Sequence, residues 1–376
     1  MEKSVISRWV ATGFFVWLFS NHLGAAELTR CNGFNDAQTA WAVVAAGAKN
    51  PIPLHPLVKA NIKAETVLWE GRAPTCNSPI AQRPVIEGEY THIYAPQGDI
   101  FLGPDTQDLK NGTHYESWQP NDHCFMKGAD GRWHTFGITH PESQPGQRRH
   151  QGEFVLFHAV SPTSSFESSL LPQSWTDKPK VLTPGQRPGE NPNCHAPTIV
   201  HHEGVYKMIY GPCPFRLAIS KDLGTWTPKG PVGINEKSGR DPSLFFWKGS
   251  YYLVYCAGNL VKASTSKDFT NWSEPIEIYR GEVETYQCES PTIIHNKESF
   301  YLFWCLWDTA NKNGNGYDER SFVVCSNDPL NFRGHPVMTE LKAHAPEIFQ
   351  DEQQNWFISS VQYPVRGISV SRLTWK

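Results

Sequence analysis

Three acidic residues carry the chemistry most worth asking about. Asp122 lies in Asn121-Asp122-His123, Asp241 in Arg240-Asp241-Pro242 and Glu289 in Glu289-Ser290-Pro291. Two carboxyl groups on either side of an acetal oxygen are enough to cleave it. One protonates the departing oxygen and the other acts as base or nucleophile. A third carboxylate raises the acid's pKa by like-charge repulsion and orients it. Each residue also has a plainer reading. Asp122 suits a turn, Asp241 suits an ion pair with Arg240, and Glu289 precedes an apolar strand where an isolated Glu has little structural use. Far apart in sequence, the three work together only if the fold gathers them.

The elements that would gather them are visible as an internal repeat. HAPTIV from His195, RDPSLFF from Arg240, ESPTII from Glu289 and HAPEIF from His344 share one pattern, phased by Pro197, Pro242, Pro291 and Pro346. Each is followed by a polar turn and a second apolar run: VYKMIYG, YYLVYCAG, FYLFWCLW and WFISSV. Such pairs read as β-hairpins. A third run closes each unit. Three of these carry a Ser-x-Asp turn and end on an aromatic, Trp226, Trp272 or Phe332; the last ends at Trp375. A fifth, more degenerate unit starts at Asn121-Asp122-His123 and lacks the Pro.

Five such units predict an all-β five-bladed β-propeller with a short N-terminal extension. The expected organisation is a signal peptide over 1–26, an extension that includes a possible blade closure over 27–114, and the propeller over 115–376. THIYA and DIFLG are strand-like pieces of the extension, and the Ala-rich stretch 37–48 reads as a short helix. In a propeller the first strand of each blade lines the central channel. The repeat therefore places Asp122, His195, Arg240, Asp241, Glu289, His344 and Glu347 around one end of it.

With those motifs in hand, the chain resembles the five-bladed propeller glycosidases that include glycoside hydrolase families 43 and 32. Arg240-Asp241-Pro242 matches the Arg-Asp-Pro of the second acid in that group. Glu289-Ser290-Pro291 matches its Glu-x-Pro, and Trp118 to Asp122 is similar to the Trp-x-Asn-Asp stretch of family 32. The resemblance covers residues 115–376. His123 departs from it, standing where these families usually have Pro, and the C-terminal β-sandwich of family 32 is missing.

The resemblance implies a compact family 43-like hydrolase with an inverting mechanism. Asp122 would be general base, Glu289 general acid, and Asp241 the residue that tunes the acid. Asn121, His123, His195, Arg240 and Glu347 are candidate substrate contacts, with Trp118 and Tyr286 as stacking or packing aromatics. It also implies a metal ion near the axis, calcium, beside His344. Three other readings stay open: a retaining β-fructosidase like family 32, a glycan-binding propeller without catalysis, and a channel His such as His123 or His195 as proton donor.

Composition bounds the partners. A formal net charge of -3 gives no basic field for nucleic acid; the resemblance implies an oligosaccharide or polysaccharide of plant or algal origin as substrate. Lys3 and Arg8 precede the short apolar run Trp9–Phe19, and Gly24-Ala25-Ala26 offers a cleavage site. This predicts export, secreted or periplasmic, as a soluble monomer without a membrane anchor. Export permits disulfides: Cys31 with Cys76 and Cys194 with Cys213 are the expected pairs. Cys256, Cys305 and Cys325 read as buried thiols.

Overall fold

Apolar runs broken by polar turns become five antiparallel four-stranded sheets. The computed structural model describes residues 81–97, 118–141, 153–282, 286–308, 317–361 and 363–376. The signal segment, the Ala-rich stretch, DIFLG and the Cys31/Cys76 pair lie outside the described residues.

Blade one is β2 (Trp118–Lys127), β3 (Trp133–Pro141), β4 (Val155–Val160) and β5 (Thr176–Val181). Blade two is β6 (His195–His202), β7 (Val205–Gly211), β8 (Arg216–Ser220) and β9 (Thr227–Pro231). Blade three is β10 (Arg240–Trp247), β11 (Ser250–Ala257), β12 (Leu260–Ser266) and β13 (Ile276–Arg280). Blade four is β14 (Tyr286–Asn296), β15 (Ser299–Asp308), β16 (Tyr317–Ser326) and β17 (Val337–Leu341). Blade five takes β18 (Ile348–Gln350), β19 (Trp356–Ser360) and β20 (Ile368–Trp375) from the end of the chain. Its outermost strand is β1 (Pro84–Tyr94), which pairs with β20 from Pro84↔Trp375 to Tyr94↔Ile368. The ring is thus closed by strands from both ends of the described chain.

The Ser-x-Asp signature has a local cause. Ser220 Oγ accepts the Leu223 N–H at 2.9 Å, and Asp222 Oδ1 accepts those of Gly224 and Thr225 at 2.9 and 2.8 Å. Ser266 and Asp268 repeat the arrangement in blade three. These side chains satisfy the turn's own backbone and fix the corner between third and fourth strands. The closing aromatic then lies under the turn: Trp226 Nε1 donates to Leu223 O at 3.1 Å.

Between blades the core is apolar. A cluster lies at each of the five junctions. Phe136 meets Met208 and Tyr210 between blades one and two, and Phe215 meets Leu253 and Tyr255 between two and three. Val254 meets Phe300 and Leu302 between three and four, and Phe303 meets Ile358 and Leu373 between four and five. Phe157 and Phe166 meet Phe357 between five and one. Burial of each such side chain contributes about 1.5–3 kcal/mol, so every blade is held chiefly by its two neighbours. Among the described residues, no helix is long and apolar enough to cross a membrane.

The expected Cys194–Cys213 bridge does not form; both thiols are free. Cys194 packs in the cluster between blades one and two, Cys213 against that between two and three. The three strand cysteines Cys256, Cys305 and Cys325 are buried thiols.

Candidate active site

The innermost strands share a bulge, and the bulge aims the acids. In β6, β10 and β14 the ladder skips two residues: His195↔Gly211 is followed by Thr198↔Ile209, Arg240↔Cys256 by Ser243↔Val254, and Glu289↔Cys305 by Thr292↔Phe303. The first skipped residue is left-handed each time, with φ of 35° at Ala196, 52° at Asp241 and 47° at Ser290. Ala345 has the same turn, with φ 45°. Backbone of this kind costs a non-glycine residue on the order of 1–2 kcal/mol. The second skipped residue is Pro, whose missing N–H matters little where no ladder bond is made. In blade one the same gap falls between Pro120↔Thr139 and His123↔Gly137. Asp122 therefore occupies the proline's place. Its freed N–H bonds its own carboxylate, which a proline there would forbid.

The three acids come from three successive positions of this device. Glu289 stands just before the bulge, Asp241 is its first residue and Asp122 its second. This offset brings different blades' carboxyls onto one spot. Ser290 Oγ donates to Asp122 Oδ1, while the Ser290 N–H donates to Asp241 Oδ2 at 3.3 Å. Arg240 Nη1 donates to Asp241 Oδ2 at 3.0 Å and to Glu289 Oε1. Cys256 adds a thiol hydrogen bond to Asp241 Oδ2 at 3.1 Å. Arg240 is itself steadied by Gln287 Oε1 at 2.9 Å and by the Trp307 ring, 5.4 Å from its guanidinium carbon.

All three carboxyls are buried. Burial raises the pKa of Asp122, and the charge of Asp241 adds to this against the Ser290 bond and Arg240. Burial likewise raises Glu289, opposed by Arg240 and reinforced by Asp241 and Asp122. Two carboxyls raised toward neutral pH, beside a third anchored by a cation, form an acid–base set.

The other candidates divide. His195 occupies the same register position as Arg240 and Glu289 and faces this group. Arg240 holds carboxylates rather than standing free. His123 is 2% exposed, and its Nε2 lies 2.7 Å from Ser359 Oγ of blade five. Burial and His344 push its pKa down to about 3. It ties two blades together, and as a neutral ring it is too weak an acid to protonate a leaving group. Trp118 is 3% exposed, packed with Phe154 and Val155, and Lys180 Nζ sits 4.8 Å from its ring. That ring is a packing element and not a sugar platform. Tyr286 is half-buried against the core between blades three and four. Asn121 is half-buried, with a side-chain oxygen that is buried and without a partner. Glu347 is half-buried, its backbone N–H donates to Ser359 Oγ, and its carboxyl pKa is raised by burial and by Asp122.

His344 is buried on the axis side of blade five, its N–H donating to Ser360 Oγ at 3.0 Å. Calcium takes six to eight oxygen ligands. Among the described residues, no group of three or more His, Cys, Asp or Glu is arranged to hold a metal ion. The described residues therefore offer no cage of three such side chains at His344, and no step of the chemistry is routed through a metal.

Sequence reasoning missed Glu153. Its Oε2 lies 3.1 Å from His195 Nε2. Burial, then the charges of Asp122 and Asp241, push its pKa up to about 8. The available signal was a charged residue opening the apolar run EFVLFHAV, but Glu153 sits outside the repeated motif. A cavity of about 730 Å³ bordered by His134, His158, Lys178 and Trp226 lies at the outer strands of blades one and two. It contains none of the three acids, so chemistry and not size marks the site.

The sequence matches the family described as glycosyl hydrolases family 43 over residues 151–369, more than half of the protein. Asp241 and Glu289 fall inside the match and Asp122 precedes it. No curated protein matches the sequence. Among solved structures, a thermostable family-43 glycoside hydrolase is 14% identical with a TM-score of 0.51, covering 69% of this protein and 90% of its own length. A second structure, described as a glycoside hydrolase, is 14% identical with a TM-score of 0.52, over 76% and 92%. The Bombyx mori family 32 β-fructofuranosidase BmSUC1 is 15% identical with a TM-score of 0.50, over 76% and 62%. At such identities these likenesses establish the shared propeller fold.

Proposed function

The chain belongs to the glycosyl hydrolases of family 43, and from that premise we propose that it is an exported, inverting glycosidase acting on oligosaccharides of plant or algal polysaccharides. Glu289 is the general acid. Asp122 is the base that activates water on the opposite face of the sugar. Asp241 orients the pair through Ser290 and Arg240, and its charge adds to burial in raising Glu289. The carrying observation is the convergence of the three carboxyls through Arg240 and Ser290, with Asp122 and Glu289 both raised.

A raised acid needs a lower-lying partner to serve as base. Of the two, Asp122 has three contacts that favour its ionised form, the Ser290 bond, Arg240 and its own N–H, whereas at Glu289 burial and the charges of Asp241 and Asp122 outweigh Arg240. A histidine donor is disfavoured: burial pushes His195 down to about 4 and His123 to about 3.

The test is to follow digestion of arabinan, xylan, galactan and fructan oligosaccharides by time-resolved NMR. The account predicts cleavage of at least one, with the first-formed anomer inverted. Retention would make Asp122 a nucleophile instead, and no cleavage across the set would favour a glycan-binding propeller.

A further inference from the structure

The geometry points to Glu153 and His195 as a clamp that reads a vicinal diol of an uncharged sugar in the cleaved subsite. This rests on the hydrolase reading of the same site. Three observations support it.

The first is placement. His195 stands just before the blade-two bulge, the register position that Arg240 and Glu289 hold in blades three and four. It lies on the arc between Asp122 and Asp241. Glu153 is brought to it by the Cys194 N–H, which donates to Glu153 O at 2.6 Å.

The second is exposure. The two side chains are 22% and 26% exposed, whereas those of Asp241 and Glu289 are 7% and 6% exposed. The pair is therefore less enclosed than the two acids and more accessible to a ligand. His195 Nε2 and Glu153 Oε2 engage each other at 3.1 Å. That leaves His195 Nδ1 and Glu153 Oε1 for a ligand.

The third is charge. Burial drives His195 down to about 4, and Glu153 is pushed up to about 8. Near neutral pH the pair shares one proton and carries no net charge. With the proton on Glu153 and donated to Nε2, His195 presents Nδ1–H as donor and Glu153 presents Oε1 as acceptor. Two adjacent hydroxyls meet one of each. A uronate would gain no charge partner from this pair and would stand near Asp241, whose counter-ion Arg240 is already engaged, which disfavours acidic sugars. A site built to bond hydroxyls discriminates sharply against a sugar that presents them differently, because its buried polar groups are left unpaired.

The test uses wild type, Glu153→Leu, Glu153→Gln and His195→Phe with 4-nitrophenyl α-L-arabinofuranoside, β-D-xylopyranoside and β-D-galactopyranoside. The preference between the best and second-best glycoside, as a ratio of kcat/KM, should fall at least about tenfold in Glu153→Leu and His195→Phe, with KM raised. Glu153→Gln mimics the protonated carboxyl, since its amide donates to Nε2 and its oxygen stays an acceptor. It should keep the wild-type preference within about threefold. An unchanged preference in Glu153→Leu overturns the clamp, as does a Gln variant no better than Leu. Calorimetry of free arabinose, xylose and galactose separates the two claims. Equal affinity for wild type and Glu153→Leu overturns the clamp; binding without cleavage of any glycoside overturns the hydrolase reading alone.

Discussion

Asp122 and Glu289 are costly to ionise where they stand, and that cost has a measurable consequence. Their folded pKa values are raised, so the unfolded chain releases these protons first as pH climbs from the ordinary carboxylate value of about 4. The unfolded state then binds fewer protons than the folded one, and stability falls through that window. His123 and His195, pushed down, act in the opposite direction and cost stability as pH falls below the ordinary imidazole value. Asp122→Asn keeps an oxygen for the Ser290 hydroxyl but removes the ionisation. It should melt with wild type near about pH 4 and at least about 2 °C higher near about pH 8. A lower melting point near about pH 8 would mean that the carboxylate stabilises the fold. At this scale the sequence was readable where a residue sat on the repeat. Arg240, Asp241 and Glu289 announced themselves through the Pro that follows. Glu153 did not, because its role comes from a cross-blade meeting with His195. Trp118 was ambiguous because a Trp that packs and a Trp that stacks look alike until its surroundings are known.

The bulge of the innermost strand is the element that turns a propeller edge into a reaction centre. Its Pro was visible in four of five repeats; the left-handed residue before it was not, since Ala and Ser carry no signal for that backbone and Asp only a weak one. The blade-one bulge is braced by Gly137, which pairs with His123. A β-carbon at Gly137 would come within 2.5 Å of the Phe157 ring and 2.7 Å of His123 Cβ. Both neighbours are buried in the core, so β2 would have to shift away from β3. Gly137→Ala should cost about 1–3 kcal/mol, seen as a melting point lower by several degrees. It should also reduce kcat, because Asp122 is the residue immediately before His123. An unchanged melting point would show that β2 is not braced there.

At the scale of the whole molecule, the ring fixes distances that no single blade controls. Asp122 comes from blade one, Asp241 from three and Glu289 from four, and closure through β1 against β20 holds the first blade to the last. The blade count and phase were legible because every repeat writes its own hairpin and, in three cases, its Ser-x-Asp corner. Which residues meet across the axis was legible only by assuming the propeller. The Cys194–Cys213 expectation failed for the same reason: proximity in sequence says little about which inter-blade cluster a side chain enters. The central claim is that these gathered carboxyls cleave a glycosidic bond, with Glu289 delivering the proton. The direct measurement is kcat of Glu289→Gln on an oligosaccharide and on the 2,4-dinitrophenyl glycoside of the same sugar, whose leaving group needs no proton. The account predicts a loss of roughly 10²–10⁴-fold on the first and less than about tenfold on the second. Equal losses on both, or full activity on the oligosaccharide, would contradict it.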